Sequence, residues 1–368
     1  MAGKKGALAR LAMTTLNPHI GRLAGRRVFL TGHTGFKGSW LVHWLNALGC
    51  NVTGYALPPA ESPNLFTLSK VESQLSAHYL GDIRDSERLA DAVARSRPEV
   101  VIHLAAQAVV RRSYVQCTTT WSTNVLGTVN LLDALRHSDS VAAIVVVTTD
   151  KVYDNQGWTW GYREIDALGG HDPYSASKAA AELVVHSYRK SFFAGSGPRL
   201  ASARGGNVIG GGDWSEDRLL ADAARAIASG TKLIIRNPYA TRPWQHVLDC
   251  LSGYLTLAGA LLARSEGADS AFNFGPPPTD NIGVATLLER LKKLWPGLDW
   301  STEANGDAPH EAGFLYLDSA KAHRELDWTS RWSLDTALAA TATWYREVAT
   351  DRSVAPAVTR RQLQEYLS

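Results

Sequence analysis

No run of about 18 uninterrupted apolar residues occurs in this 368-residue chain, which excludes a helix crossing a bilayer. Cysteine is scarce: Cys50, Cys117 and Cys250 are scattered, odd in number and without metal-ligand spacing. Neither a disulfide framework nor a metal centre is expected, and the three read as inert buried thiols in a reducing, cytoplasmic setting. Charge has no strong bias either, since 38 Lys and Arg against 35 Asp and Glu leave +3. That balance does not point to nucleic acid, although local basic clusters remain able to meet a phosphorylated ligand. Internal repeats and low-complexity segments are missing too. What remains, 45% hydrophobic and 20% charged, suits a soluble protein with a large core. Residues 1–24 carry Lys4, Lys5 and Arg10 before a short apolar patch that Arg10 interrupts, so a flexible basic arm is expected and not a signal peptide.

Short apolar runs alternate with helical patterns along the chain. RRVFL (26–30), NVTGYAL (51–57), PEVVIHLAA (98–106) and AAIVVVTT (142–149) read as strands. SWLVHWLNALG, SERLADAVARS, TNVLGTVNLLDALRHS and ASKAAAELVVHSYRKSF read as helices. Such alternation predicts βαβ units, hence an α/β fold with a doubly wound parallel sheet covered on both faces. The expected division is a basic arm over 1–24 and a Rossmann domain over 25–205, to which 249–275 return. A smaller mixed α/β part, formed by 206–248 and 276–360, completes it.

TGHTGFKG places Gly32, Gly35 and Gly38 between the first strand and the first helix, where glycine permits a tight turn and amide groups meet a pyrophosphate. The spacing is GxxGxxG, a variant of the usual dinucleotide fingerprint. An acid commonly follows the second strand to hold the adenosine ribose, but this strand reads VTGYAL. Tyr55 is a candidate substitute, and GDIRD offers Asp82 and Ile83 to an adenine; Asp82 and Asp85 equally suit a cap for the helix at Ser86.

A second pattern is YSASK, with Tyr174 and Lys178 four apart on one helix face. A neighbouring ammonium favours a phenolate, so Tyr174 is expected to serve as a base. The strand ending TTDK adds Thr149, Asp150 and Lys151, polar groups whose unpartnered burial would cost several kcal/mol, about 2–7 even for neutral groups.

Together with His103-Leu104-Ala105-Ala106 and Asn124, these motifs resemble the extended short-chain dehydrogenase/reductases over roughly residues 26–348. Within them the chain is similar to the nucleotide-sugar 4,6-dehydratases in VFLTGHTGFKGSWL, HLAAQAVVRRSY, TTDKVYDNQGW, GNVIGGGDW, IRNPYATRPWQHVLD and HEAGFLYLD. The resemblance implies oxidation of a sugar at C4, loss of water across C5 and C6, and hydride return to C6. It implies CDP-glucose as substrate, NAD rather than NADP as cofactor, a homodimer or dimer of dimers, and no membrane or nucleic-acid partner. The cofactor site would comprise Gly32, Thr34, Gly35, Phe36, Lys37, Gly38, Tyr55, Asp82, Ile83, Leu104, Ala105, Ala106, Gln107, Asn124, Thr148, Tyr174 and Lys178. Thr149, Asn207, Arg236, Arg242 and Glu311 would bind substrate.

By the same resemblance Tyr174 takes the C4 hydroxyl proton, Lys178 holds the nicotinamide ribose and lowers the Tyr174 pKa, and Asp150 is the acid of elimination. Lys151 departs from the dTDP-glucose pattern, which has a glutamate there. It is either the C5 base or a partner fixing the Asp150 charge while water serves as base; an ion pair closing the strand is the structural alternative. His246 reads as a packing histidine, Arg204 as structural, and Trp158 and Trp160 as a cover for the sugar or as loop packing. Rival readings are an epimerase or reductase on another nucleotide sugar (UDP-, GDP- or dTDP-linked) and a non-catalytic cofactor sensor. A sensor typically lacks the tyrosine.

Overall fold

The computed structural model describes residues 16–60, 62–195, 197–302 and 314–368. Seven strands build the main sheet: β1 (Arg27–Thr31), β2 (Asn51–Ala56), β3 (Ala77–Leu80), β4 (Val100–His103), β5 (Ala143–Thr149), β6 (Arg199–Gly205) and β7 (Ala271–Phe274). Their order is β7-β6-β5-β4-β1-β2-β3, and every pair is parallel. This is a doubly wound sheet.

Alternate residues feed opposite faces, as a pleated strand demands. Val28, Leu30, Val100, Ile102 and Val145 join one apolar core, while Phe29, Val101, Ile144 and Val146 join another. Five helices cover the faces: α1 (Phe36–Ala47), α2 (Ser86–Ser96), α3 (Gly127–Arg136), α4 (Pro173–Ser191) and, further along the chain, α6 (Val247–Leu262). The last of these is buried on all sides from Val247 to Leu261, as its almost uniformly apolar sequence requires, and packs on β5 and β6. Asp85 caps α2 by accepting a bond from the Arg88 amide at 3.1 Å.

Among the described residues, the chain after β6 forms three small two-stranded pairings. Val208–Ile209 runs parallel to Gln245–His246, and Leu233–Ile235 parallel to Trp300–Thr302; Thr241–Pro243 runs antiparallel to Asn281–Gly283. Helices α5 (Leu219–Ser229), α7 (Val284–Leu294), α8 (Leu334–Thr350) and α9 (Ala355–Leu367) accompany them. Leu219, Leu220, Ile235, Arg242 and Val284 of this part line a crevice with Lys151 and Asn207, which follow β5 and β6, the place where a parallel sheet leaves one.

Two sequence expectations are corrected here. Residues 16–24 are not a free arm: Asn17 caps a short helix, Pro18–Gly21, and donates to the Leu326 carbonyl at 2.8 Å, while Ile20 and Leu23 are fully buried. The basic residues Lys4, Lys5 and Arg10 lie outside the described residues. Cys117 is exposed and not buried, because it opens a short helix, Cys117–Trp121, on the surface.

Candidate active site

Two cavities meet at the carboxyl edge of the sheet. The first, about 360 Å³, is lined by Gly32, Thr34, Gly35, Phe36, Lys37, Gly38, Asp82, Ile83, Leu104, Ala105, Ala106, Thr148, Thr149, Asp150, Tyr174 and Lys178 among others. The second, about 430 Å³, is lined by Arg111, Asn155, Asn207, Arg236, Arg242 and Trp244 among others. Lys151, Asn207 and Arg218 line both, so they mark the junction.

Backbone geometry shapes the first cavity. Gly32 has φ +76°, and a side chain there would come within 2.8 Å of the Ala105 amide nitrogen. At Gly38 a Cβ would lie 2.2 Å from the Gly32 carbonyl oxygen, so only glycine lets α1 begin this close to the turn. Gly35 caps α1 without a side-chain acceptor, which leaves first-turn amides to meet an anion at the positive end of the helix. A dinucleotide pyrophosphate fits that cradle.

Thr31, at the end of β1, holds the opposite wall. Its hydroxyl bonds His103 Nδ1 at 2.7 Å and accepts from the amides of Leu104 and Ala105 at 3.1 and 3.2 Å. His103 Nε2 in turn meets the Thr128 hydroxyl at 3.2 Å. Burial pushes the His103 pKa down to about 3, so it is a neutral strut.

Three expected cofactor residues do not line the cavity. Tyr55 is fully buried, and its hydroxyl donates to the Asp82 carbonyl at 3.0 Å, beneath Gly81. It fixes the GDIRD loop from behind. Asn124 sits in a π-helical turn, Ser122–Leu126, that interrupts the predicted helix and turns its side chain inward. There it accepts from the Gln107 amide at 2.9 Å and donates to the Gln107 carbonyl and the Ser177 hydroxyl. Gln107 spends its own side chain on Val109 and Thr120. Asn124 thus locks the loop after β4 onto α4, and Gln107 ties it to the short helix Cys117–Trp121.

At the end of β5 a 3₁₀ turn, Asp150–Val152, redirects the chain into the crevice. Thr149 caps it, accepting from the Lys151 amide at 3.3 Å and donating to Asp150 Oδ1 at 2.9 Å. Thr149, Asp150 and Tyr174 all line the first cavity, and both Thr149 and Asp150 act on the Tyr174 phenol, so the three converge. Lys151 is half-buried, and its ammonium has no carboxylate partner among the described residues, which removes the strand-closing ion pair with Asp150.

The expected lowering of the Tyr174 pKa is not what the geometry produces. Burial pushes the phenol up to about 12, more than the nearby Thr149 hydroxyl and the Arg218 charge pull it down. The Lys178 ammonium instead donates to the Val147 carbonyl at 2.9 Å. Its own pKa falls to about 8 through burial, against the pull of Glu182.

Sequence reasoning missed the support beneath α4. Glu182, one turn beyond Lys178, forms a buried pair with Arg204 at 3.0 Å and accepts from Thr148 and Ser202. Arg204 also donates to the Tyr153 hydroxyl at 2.8 Å, which donates to Asn273. The structural reading of Arg204 therefore stands on contacts. His246 is fully buried against Trp40 and Trp332, as a packing residue. Trp158 and Trp160 stack in a ladder that continues through Tyr162 to Tyr153. Glu311 lies outside the described residues. Among the described residues no group of three or more His, Cys, Asp or Glu is placed to hold a metal ion, and no helix is long and apolar enough to cross a membrane.

The model of the family described as GDP-mannose 4,6 dehydratase matches residues 29–265. The chain is 45% identical to the CDP-glucose 4,6-dehydratase of Salmonella typhimurium, over 94% of this chain and 97% of that protein. The chain belongs to this nucleotide-sugar 4,6-dehydratase family. It is 30% identical to the dTDP-glucose 4,6-dehydratase of Streptomyces antibioticus, over 87% of this chain and 92% of the other. Among solved structures, dTDP-glucose 4,6-dehydratase from Bacillus anthracis in complex with NAD superposes with a TM-score of 0.72 at 22% identity, covering 87% of this chain and 96% of that one. UDP-glucose 4-epimerase from Thermotoga maritima gives 0.73 at 23% identity, covering 87% and 99%. These two likenesses concern the fold of the dehydratase.

Proposed function

We infer that this dehydratase converts CDP-glucose to CDP-4-dehydro-6-deoxyglucose and water. The observation that carries the reading is the 45% identity, over nearly the full length of both proteins, to a CDP-glucose 4,6-dehydratase. It is supported by the gathering of Thr149, Asp150 and Tyr174 in the first cavity, which shares Lys151 with the second. In this reading the first cavity takes NAD, which supplies a reversible hydride acceptor. Gly32, Gly35 and Gly38 bring backbone to its pyrophosphate, and Lys178 reaches its nicotinamide ribose. NAD is favoured over NADP because the solved dehydratase of this fold from Bacillus anthracis holds NAD.

The chain's own residues then handle protons. Tyr174 and Thr149 share the C4 hydroxyl, and Tyr174 accepts its proton; a positive charge brought against the phenol must offset the upward push of burial. Asp150 protonates the departing C6 hydroxyl. Lys151, standing at the junction without a carboxylate partner, takes the C5 proton as the neutral amine and becomes the ammonium. The smaller part of the chain, 206–248 and 276–360, holds the CDP portion through Asn207, Arg236 and Arg242, with the Rossmann domain over 25–205 and 249–275.

We also propose a cytoplasmic homodimer or dimer of dimers through the helices around Asn124–Leu135 and Ala179–Tyr188, where Leu126 and Leu183 stand 56% and 62% exposed. Light scattering checks the oligomer.

Incubation with CDP-glucose and NAD should yield a 4-keto sugar lighter by one water. Faster turnover of UDP- or dTDP-glucose would overturn the substrate assignment. Lys151→Ala should retain C4 oxidation yet stop exchange of the C5 hydrogen with solvent; normal exchange in that variant would remove Lys151 as the base.

A further inference from the structure

The loop between the short strand Val208–Ile209 and α5 carries three carboxylates, Asp213, Glu216 and Asp217, that no step of the reaction uses. Asp217 Oδ1 lies 3.3 Å from Arg111 Nη1 and also 3.3 Å from Arg236 Nη2. The two guanidiniums come from opposite walls: Arg111 from the short helix Val110–Val115 that follows the loop after β4, Arg236 from the end of the strand Leu233–Ile235. Beside them Glu216 meets Arg112 at 3.3 Å, a second tie between the same loop and the same helix. Arg111, Arg236 and Asp217 all line the 430 Å³ cavity, as do Arg218 and Arg242.

Asp217 is held at φ +57°, a left-handed conformation that costs a non-glycine residue energy and calls for a reason. One carboxylate oxygen shared by two arginines is the arrangement a phosphate oxygen would take between them. The three side chains are 35–37% exposed, where solvent screens each pair, so a diphosphate with more charge and more acceptor oxygens displaces the carboxylate readily.

We propose that Arg111 is a substrate-binding residue for the diphosphate of the nucleotide sugar, and that Asp217 is a placeholder which keeps Arg111 and Arg236 aimed across the cavity until that diphosphate replaces it. The proposal rests on the nucleotide-sugar reading of the cavity but not on the identity of the base. Arg236 then serves from one wall and Arg111 from the other, and binding exchanges a bridge within the protein for one through the ligand.

The test uses the full chain and isothermal titration with CDP and with CMP, which lacks the second phosphate. Arg111→Gln should weaken CDP about tenfold and CMP much less, and should raise KM for the sugar nucleotide by more than it lowers kcat. Asp217→Asn, which removes the competing charge, should tighten CDP about threefold, and this gain should vanish in the Asp217→Asn, Arg111→Gln double variant. Thermal melting confirms that each variant is folded; should Asp217→Asn fail to fold, Arg111→Gln alone decides. CDP affinity unchanged in Arg111→Gln overturns the proposal, as does a weaker affinity in a folded Asp217→Asn. If UDP or dTDP binds in place of CDP, the same comparison is made with that diphosphate and its monophosphate. A wrong base then corrects the proposed function while the placeholder stands or falls by the variants.

Discussion

The two cavities that meet at Lys151 are built by different means. The first is made of backbone: a glycine turn, the open start of α1, and a loop after β4 held by Thr31, His103 and Asn124. The second is made of side chains, with arginines 111, 218, 236 and 242 gathered from separated segments and answered by Asp213, Glu216 and Asp217. Backbone amides cannot relax or be repaired by a neighbour, whereas long cations share their work. Substitutions should therefore act sharply in the first cavity and gradually in the second.

The largest effect is expected at the end of the first cavity that adjoins Lys151. Tyr174→Phe should lower turnover by about 10²–10⁴-fold, as loss of a positioned acid/base does, while binding of NAD and of CDP changes little. Absorbance of the transiently reduced cofactor in a single turnover checks that C4 oxidation is the step lost. Gly38→Ala should follow: its methyl would meet two backbone neighbours, the Gly32 oxygen and His33 Cα, at 2.2 and 2.7 Å. Overpacking of this kind costs about 1–3 kcal/mol, or roughly 5–150-fold in NAD affinity, with CDP affinity nearly unchanged. Titration of the same variant with both ligands tests the contrast between the cavities directly.

Arg242→Gln should weaken CDP about tenfold or less because Arg218 and Arg236 remain; a loss as steep as that of Gly38→Ala for NAD would break the comparison. The smallest effect is one of pH. Burial lowers the Lys178 pKa to about 8, so its ammonium is present below that value and lost above it. NAD affinity should fall several-fold between pH 7 and 9 while CDP affinity holds level, and Lys178→Met should abolish the slope. Titration of both ligands across that range checks it.

Legibility in the sequence follows the same division. Gly32, Gly35, Gly38 and the Leu104–Ala106 wall were readable because the cradle is made by contiguous residues, and α2 spans Ser86–Ser96 as its periodicity predicts. Tyr55, Gln107 and Asn124 were assigned to the cofactor because they sit in the right motifs, yet each turns its polar atoms to the protein. Motif position does not tell whether a side chain faces a ligand or props up the loop that does. The Tyr174 pKa was misjudged for a related reason: the four-residue spacing places Lys178 on the same face, but the Val147 carbonyl takes its ammonium and burial outweighs charge. Glu182 had a signal, one helical turn after Lys178, but its partner Arg204 lies on another strand.

By itself the sequence determined the alternation of strand and helix, the glycine turn at the first crossover, the Tyr174 and Lys178 pair, and the polar end of β5. All of these are local patterns, governed by backbone freedom and side-chain periodicity. Only the tertiary structure decided that Lys151 stands between two cavities and not against Asp150, that Asn124 and Tyr55 support loops, and that Asp217 joins Arg111 to Arg236. Those outcomes depend on which distant groups are nearest once the sheet is closed. Burial and charge act through space at a few ångströms, a distance that spacing along the chain does not encode.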